Sequence, residues 1–196
     1  MSSYCDVSAG HEWHEPYHDT EYGFPLAGDA ELFERLILEI NQAGLSWLTI
    51  LRKRQAFRTA YRGFDPDRVA RFGARDVKRL MENPGIIRNR LKVDAAIANA
   101  KTVVALRKSH GSFAGWLDGS QWVEEARRQR GNEARQRTKP EWIALFKKTF
   151  RFTGGEIVGE FLLSTGYLPG AHRVSCPVYA RIVERKPPWM RAGSAS

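Results

Sequence analysis

Apolar residues recur along this chain mostly every three or four positions, so the pattern predicts helices almost throughout. Leu32, Phe33, Leu36, Ile37 and Ile40 share one helical face, and Asp29 stands where a cap is expected. A second helix is expected from about Ser46, burying Trp47, Ile50, Leu51 and Phe57. Asp65-Pro66 reads as a cap followed by proline at the first helical position, opening a short helix to Phe72. Ala74–Glu82 fits another short helix, which Asn83-Pro84-Gly85 breaks. A long helix follows from about Arg88 to Lys108, striped by Val93, Ile97, Ala100 and Val104. Gly111 to Gly119 fits a short helix or turn. Thr138-Lys139-Pro140-Glu141 matches a capping box for a helix ending near Lys148. A last apolar helix is expected over Gly155 to Ser164, with Gly166 as its stop. No strand-like alternation and no internal repeat is found, so the fold class is all-α. A single domain is expected over residues 1–185, as two lobes sharing a core, with a loose tail over 186–196.

Charge modifies this picture more than composition does. With 196 residues and 42% hydrophobic content, the chain can bury one sizeable core. Its formal charge of +9 suits a polyanionic partner such as nucleic acid or an acidic membrane surface. No apolar run is long enough to span a bilayer, so no membrane association is expected. The N-terminal residues do not read as a secretory signal, so a cytoplasmic protein is expected. Every apolar stripe has a place in the core, which makes a monomer the expected state. Gln121 to Lys139 is dense in arginine (Arg127, Arg128, Arg130, Arg135, Arg137) and lacks an apolar period in its second half, so a mobile connection is expected there. Cys5 and Cys176 are the only cysteines, at opposite ends. In a reducing compartment they are either unrelated thiols or a pair of metal ligands.

Three stretches contain candidate chemistry. Leu80 to Arg90 joins two helices through a proline-glycine turn, the layout of a helix-hairpin-helix DNA-binding element. Such a turn presents backbone N–H groups to a phosphate, with Arg88, Arg90 and Lys92 adding charge. The alternative is an ordinary helix connection with solvated charges. In Glu39 to Trp47, a carboxylate sits on an apolar helical face beside the Gly44 break and an indole. Glu39 is there either solvated at the helix end or held in a pocket, and Trp47 is either core or a stacking platform. His14-Glu15-Pro16-Tyr17-His18 matches the HExxH pattern of zinc proteases, but Pro16 opposes the regular helix that chemistry needs.

Several of these pieces together resemble the bacterial 3-methyladenine DNA glycosylase I family. The resemblance rests on Tyr17-His18-Asp19-Thr20-Glu21-Tyr22-Gly23, on Glu39 through Arg54 and on Gly85 through Lys92. It continues in Lys147-Lys148 with Phe150 to Gly154 and closes on His172-Arg173-Val174-Ser175-Cys176. The ordered set runs from Cys5 to Cys176. It implies a helical, helix-hairpin-helix glycosylase-like fold with a structural zinc joining the N- and C-terminal segments, held by Cys5, His18, His172 and Cys176. Two thiolates and two imidazoles would close a tetrahedral site and leave no position for substrate. The partner implied is double-stranded DNA containing alkylated purines. The reaction implied is hydrolysis of the N-glycosidic bond of 3-methyladenine by base flipping, without lyase activity.

The resemblance gives Glu39 the catalytic place and makes Tyr17, Trp47 and Tyr22 the base-binding aromatic residues. Glu39 would accept hydrogen bonds from the purine amino edge and favour a cationic base, while the rings stack on it. Gly44 and Leu45 would fill the gap left by the flipped base, and Gly85, Ile87, Arg88, Arg90 and Lys92 would hold the DNA backbone. Asp94 and Asp118 receive no catalytic role. The chain departs from the family pattern at Val7, His14 and Tyr22, where aromatic residues or tryptophan are usual, and over Gly155 to Glu160. These departures bear on the substrate range, and they motivate an alternative: a damage-recognition protein of the same fold with weak or no catalysis.

Overall fold

The computed structural model describes residues 3–124 and 134–191. Its helices are α1 Tyr4–Ser8, α2 His14–Thr20, α3 Asp29–Gln42, α4 Trp47–Ala60, α5 Pro66–Ala70, α6 Ala74–Glu82, α7 Arg90–His110, α8 Phe113–Ser120, α9 Lys139–Thr149, α10 Gly155–Ser164 and α11 Pro177–Glu184. A short antiparallel pair, β1 Trp122–Glu124 and β2 Ala134–Gln136, corrects the expectation of no strand. At three residues each, these strands are too short for alternation to be read from sequence. Arg127, Arg128 and Arg130 lie outside the described residues, so the expected mobile connection is described only at its ends.

Helix α3 is the axis of the fold. Every position from Leu32 to Asn41 is buried, not one face only. The apolar members pack into a core shared by α4 to α10, including Phe57, Val93, Ala96, Phe146, Val158 and Phe161. Burying each such large side chain contributes about 1.5–3 kcal/mol. Two of the charged members, Glu34 and Arg35, survive burial because they are paired. Arg35 donates to Tyr17 Oη at 2.7 Å, Ser164 O at 3.3 Å and Glu21 Oε2 at 3.1 Å. Arg54 grips Glu21 through both terminal nitrogens and Glu34 through Nε, and Arg58 also holds Glu34. These guanidiniums satisfy each other's carboxylates in fork geometry, which offsets much of the desolvation cost.

The local signals acted largely as expected at α4 to α7. Ser46 caps α4, Asp65 caps α5, and Asn89 caps α7. Asp29 does not cap α3; Gly28 holds that position. The Asp29 carboxylate accepts instead from Phe113 N at 2.8 Å and from Arg107, tying α8 and the end of α7 to the start of α3. The stretch from Lys186, expected to be loose, is docked as far as Arg191. Gln136 Nε2 donates to Trp189 O and Arg191 O, Trp189 N donates to Gly166 O, and Arg191 pairs with Asp118. Residues 192–196 lie outside the described residues. Among the described residues, no helix is long and apolar enough to cross a membrane.

Candidate active site and metal centre

Tyr4, Val7, Tyr17, Tyr22, Glu39, Gln42, Trp47 and Glu160 line one open cavity of about 410 Å³. Helix α3 places Glu39 one helical turn beyond Arg35, on the face that meets α2 and α10. Glu39 is only 4% exposed, and among the described residues no protein group donates to its carboxyl. Burial pushes its pKa up from 4.5 to about 8; Arg35 partly counters this, and Glu160 adds to it. A carboxyl without a protein donor, facing a cavity, is an acceptor awaiting a ligand.

Aromatic rings wall the cavity. The Tyr17 and Trp47 rings lie 5.2 Å apart, Tyr17 and Tyr22 5.8 Å, and Tyr4 and Tyr22 5.0 Å. Arg35 fixes Tyr17 from behind, through its hydroxyl and with the guanidinium 4.8 Å from the ring centre. Burial raises the pKa of Tyr17 and Tyr22, so both remain neutral phenols. Trp47 is only partly buried, yet its Nε1 is shielded and has no acceptor. Glu39 is thus held in a pocket and not solvated at a helix end, and Trp47 both packs against the core and lines the same cavity. Tyr4 and Glu160 had no local signal in the sequence. Tyr4 sits beside a metal-type cysteine, and its hydroxyl pairs with His14 Nδ1 at 2.9 Å. Tyr22 Oη donates to Glu160 Oε2 at 3.3 Å.

Below this rim, Cys5 Sγ, His18 Nε2, His172 Nδ1 and Cys176 Sγ all lie within 4.8 Å of one another and are buried. Cys176 Sγ is 3.5 Å from His172 Nδ1 and 3.7 Å from His18 Nε2, and Cys5 Sγ is 3.8 Å from His172 Nδ1. A tetrahedral ion with bonds of about 2.3 Å to sulfur and about 2.0–2.1 Å to nitrogen sets S···N edges of about 3.5–3.6 Å. The other ring nitrogens are oriented as metal-bound imidazoles require: His18 Nδ1 meets Asp19 Oδ1 at 2.6 Å and His172 Nε2 meets Tyr22 O at 2.8 Å. These four residues can hold a metal ion. His14 is not among them. The HExxH stretch does form a helix, because Pro16 falls in its first turn where its missing N–H is not needed. Its two histidines nevertheless point to different partners, which removes the protease reading.

The residues expected to meet DNA divide. Gly44 takes a left-handed φ of 83°, and Leu45 projects beyond it, 43% exposed. Between α6 and α7, Gly85 fits closely under Ala56, where an added Cβ would approach to 3.0 Å. The Gly85 N–H is taken by Asn83 Oδ1 at 2.8 Å, whereas the N–H groups of Ile87 and Arg88 have no acceptor among the described residues. The Arg88 side chain is exposed, and Arg90 is exposed and pairs with Asp94. Lys92 is a correction. It is 5% exposed, and its Nζ donates to Asn41 O at 2.9 Å and Ala43 O at 2.8 Å. It caps the end of α3 and fixes the turn bearing Leu45, so it cannot reach a phosphate. Lys92→Met is expected to destabilise the protein by about 2–3 kcal/mol, since it strands two carbonyls at a helix end. Urea unfolding measures this, and a change below about 0.5 kcal/mol would refute the clamp. Asp118 accepts from Tyr167 Oη at 2.7 Å and pairs with Arg191, a structural role.

The sequence description of the methyladenine glycosylases matches residues 8–179. A DNA-3-methyladenine glycosylase of Haemophilus influenzae is 38% identical over 117 residues, 60% of this chain and 63% of that protein's length. The DNA-3-methyladenine glycosylase 1 of Escherichia coli is 35% identical over 168 residues, 83% of this chain and 89% of that protein. The solved 3-methyladenine DNA glycosylase I of Staphylococcus aureus, studied for its 3-methyladenine recognition, superposes with a TM-score of 0.74 at 31% identity, over 89% of this chain and 95% of that one.

Proposed function

The chain belongs to the methyladenine glycosylase family, and from that premise we propose that it hydrolyses the N-glycosidic bond of 3-methyladenine in double-stranded DNA, with the extruded base in the cavity around Glu39. The observation behind this reading is a buried carboxyl with no protein donor, facing an open aromatic cavity.

The chemistry follows from the lesion. N3-alkylation gives the adenine nucleotide a positive charge, so its glycosidic bond is weak and the base leaves without being protonated. As the C1′–N9 bond breaks, its electron pair passes to the purine, which departs neutral. Water adds its oxygen to C1′ and releases a proton. The protein's task is to take the nucleotide from the stack and to prefer the damaged base. Glu39 is placed to accept from the purine amino group, and Tyr17 and Trp47 offer ring faces to the cation, each worth about 1–2 kcal/mol. The hairpin Asn83–Asn89 makes a helix-hairpin-helix element whose free N–H groups at Ile87 and Arg88, with the Arg88 side chain, would grip one phosphate. The four-residue cluster would hold zinc, whose role with no vacant position is to tie α1 to the segment before α11.

Release of free 3-methyladenine from methylated duplex DNA, followed by chromatography, tests the function; no release would refute it. Leu45 would fill the space left by the flipped nucleotide. Leu45→Ala is expected to weaken binding to abasic duplex about tenfold, the worth of one large apolar contact, and to leave binding of free 3-methyladenine unchanged. Equal abasic-site affinity in the two proteins would remove Leu45 from that role.

A further inference from the structure

The cavity has a second carboxyl that neither the reaction nor the aromatic walls account for. Glu160 lies on α10 between Gly159 and Phe161, both buried in the packed helix face, and is itself turned to the cavity opposite α3. Among the described residues its one protein donor is the Tyr22 hydroxyl, at 3.3 Å. The charged groups around it are Glu39 across the cavity, Glu156 one turn earlier on its own helix, and Lys139 at the start of α9. No ion pair joins Glu160 to Lys139 or to any other cation among the described residues, and none reaches Glu39. Arg35, the guanidinium that acts on Glu39, is committed to Tyr17, Ser164 and Glu21. Arg35 partly offsets the burial of Glu39, and Lys139 that of Glu160, but among the described residues no cation is in contact with either carboxyl, and the two face one partly desolvated space. Like charges so placed resist ionising together, and burial raises the pKa of both.

We propose that Glu160 is a specificity-determining residue of the base pocket, making it select purines with a fixed positive charge over neutral purines of the same shape. This rests on the glycosylase reading above and narrows it to alkylpurinium bases. A cation between Glu39 and Glu160 lets both ionise and gains attraction from each. A neutral purine gains neither and leaves a carboxyl pair that must keep a proton. Ordinary adenine has the same amino edge as its methylated form, so discrimination must come from charge, and the second carboxyl adds to what the Glu39 charge supplies.

The test uses the whole chain with its metal and two free ligands. One is 3-methyladenine, neutral at mildly alkaline pH; the other is 3,9-dimethyladeninium, whose N9 methyl replaces the sugar and fixes the charge. Titration calorimetry of the wild type is expected to show the cation bound at least about tenfold more tightly than the neutral base. In Glu160→Gln, which keeps an acceptor for Tyr22, affinity for the cation should fall about tenfold and for the neutral base less than about threefold. Should that variant fail to fold, Glu160→Ser gives the same comparison. A cation-to-neutral ratio unchanged by substitution overturns the proposal, as does an equal loss on both ligands. Excision from methylated duplex by the wild type, run in parallel, separates the two ideas: absent excision defeats the glycosylase reading, whereas excision with an unchanged ratio defeats only the role of Glu160.

Discussion

Glu39→Gln is expected to lower kcat/KM for 3-methyladenine excision about fifteen- to eightyfold at neutral pH. A unit charge about 4–5 Å from a cationic base, at an effective dielectric of about 20, contributes about 3–4 kcal/mol. Part of that is offset, because burial holds the empty-pocket carboxyl at a pKa of about 8 and it must ionise as the cation enters. At pH 7 this ionisation costs about 1.4 kcal/mol, which leaves about 1.6–2.6 kcal/mol, or roughly fifteen- to eightyfold. The same reasoning fixes the pH profile. The wild-type kcat/KM should rise with pH towards a plateau above about 8, because the free enzyme must lose a proton to bind the cation. Glutamine should remove that rise.

Stability should move the opposite way. In the unfolded chain Glu39 titrates near its ordinary 4.5, and in the fold near 8. Between these values the folded state keeps a proton that the unfolded state has lost, so stability declines as pH rises and then levels off. Glu39→Gln should therefore melt higher than the wild type, by a margin that grows from pH 5 to pH 8. The size is on the order of a few kcal/mol, which is several degrees for a chain of this length. A variant with full excision, or a melting difference that does not change with pH, would show that the carboxyl is not buried in this way.

Removal of the metal is the second large effect expected. Purified protein should contain one zinc per chain, and stripping it or replacing Cys176 by alanine should lower the melting temperature by more than about 10 °C. The cluster joins residues more than 150 positions apart, so its loss frees α1 from the C-terminal segment. Helix α1 bears Tyr4, and the His172 ring holds the carbonyl of Tyr22; both tyrosines line the cavity. Excision at low temperature should accordingly lose KM more than kcat, because the wall that contacts the base loosens while Glu39 stays on α3. A drop in kcat alone, with KM and melting unchanged, would mean that the ion takes part in the chemistry.

Most of the helical frame was legible from sequence for a local reason. A buried face repeats every three or four residues, and Ser46, Asp65, Asn83-Pro84-Gly85 and Thr138 mark their boundaries through neighbours within a few positions. The ordered set of short motifs from Cys5 to Cys176 pointed to the family, and through that resemblance to Glu39 and to the four metal-type residues. Tertiary contact decided the rest. Lys92 reads as one more surface cation until the carbonyls of Asn41 and Ala43, some fifty residues away, are seen to hold it. Asp29 reads as a cap until Phe113 and Arg107 claim its carboxylate. Glu160 joins the pocket only because α10 packs across α3, and the residues after Lys186 dock only because Gln136 and Gly166 lie beneath them. Local periodicity states which face of a helix is buried; it does not state what the polar residues on that face will meet. That is fixed by partners brought together from distant parts of the chain.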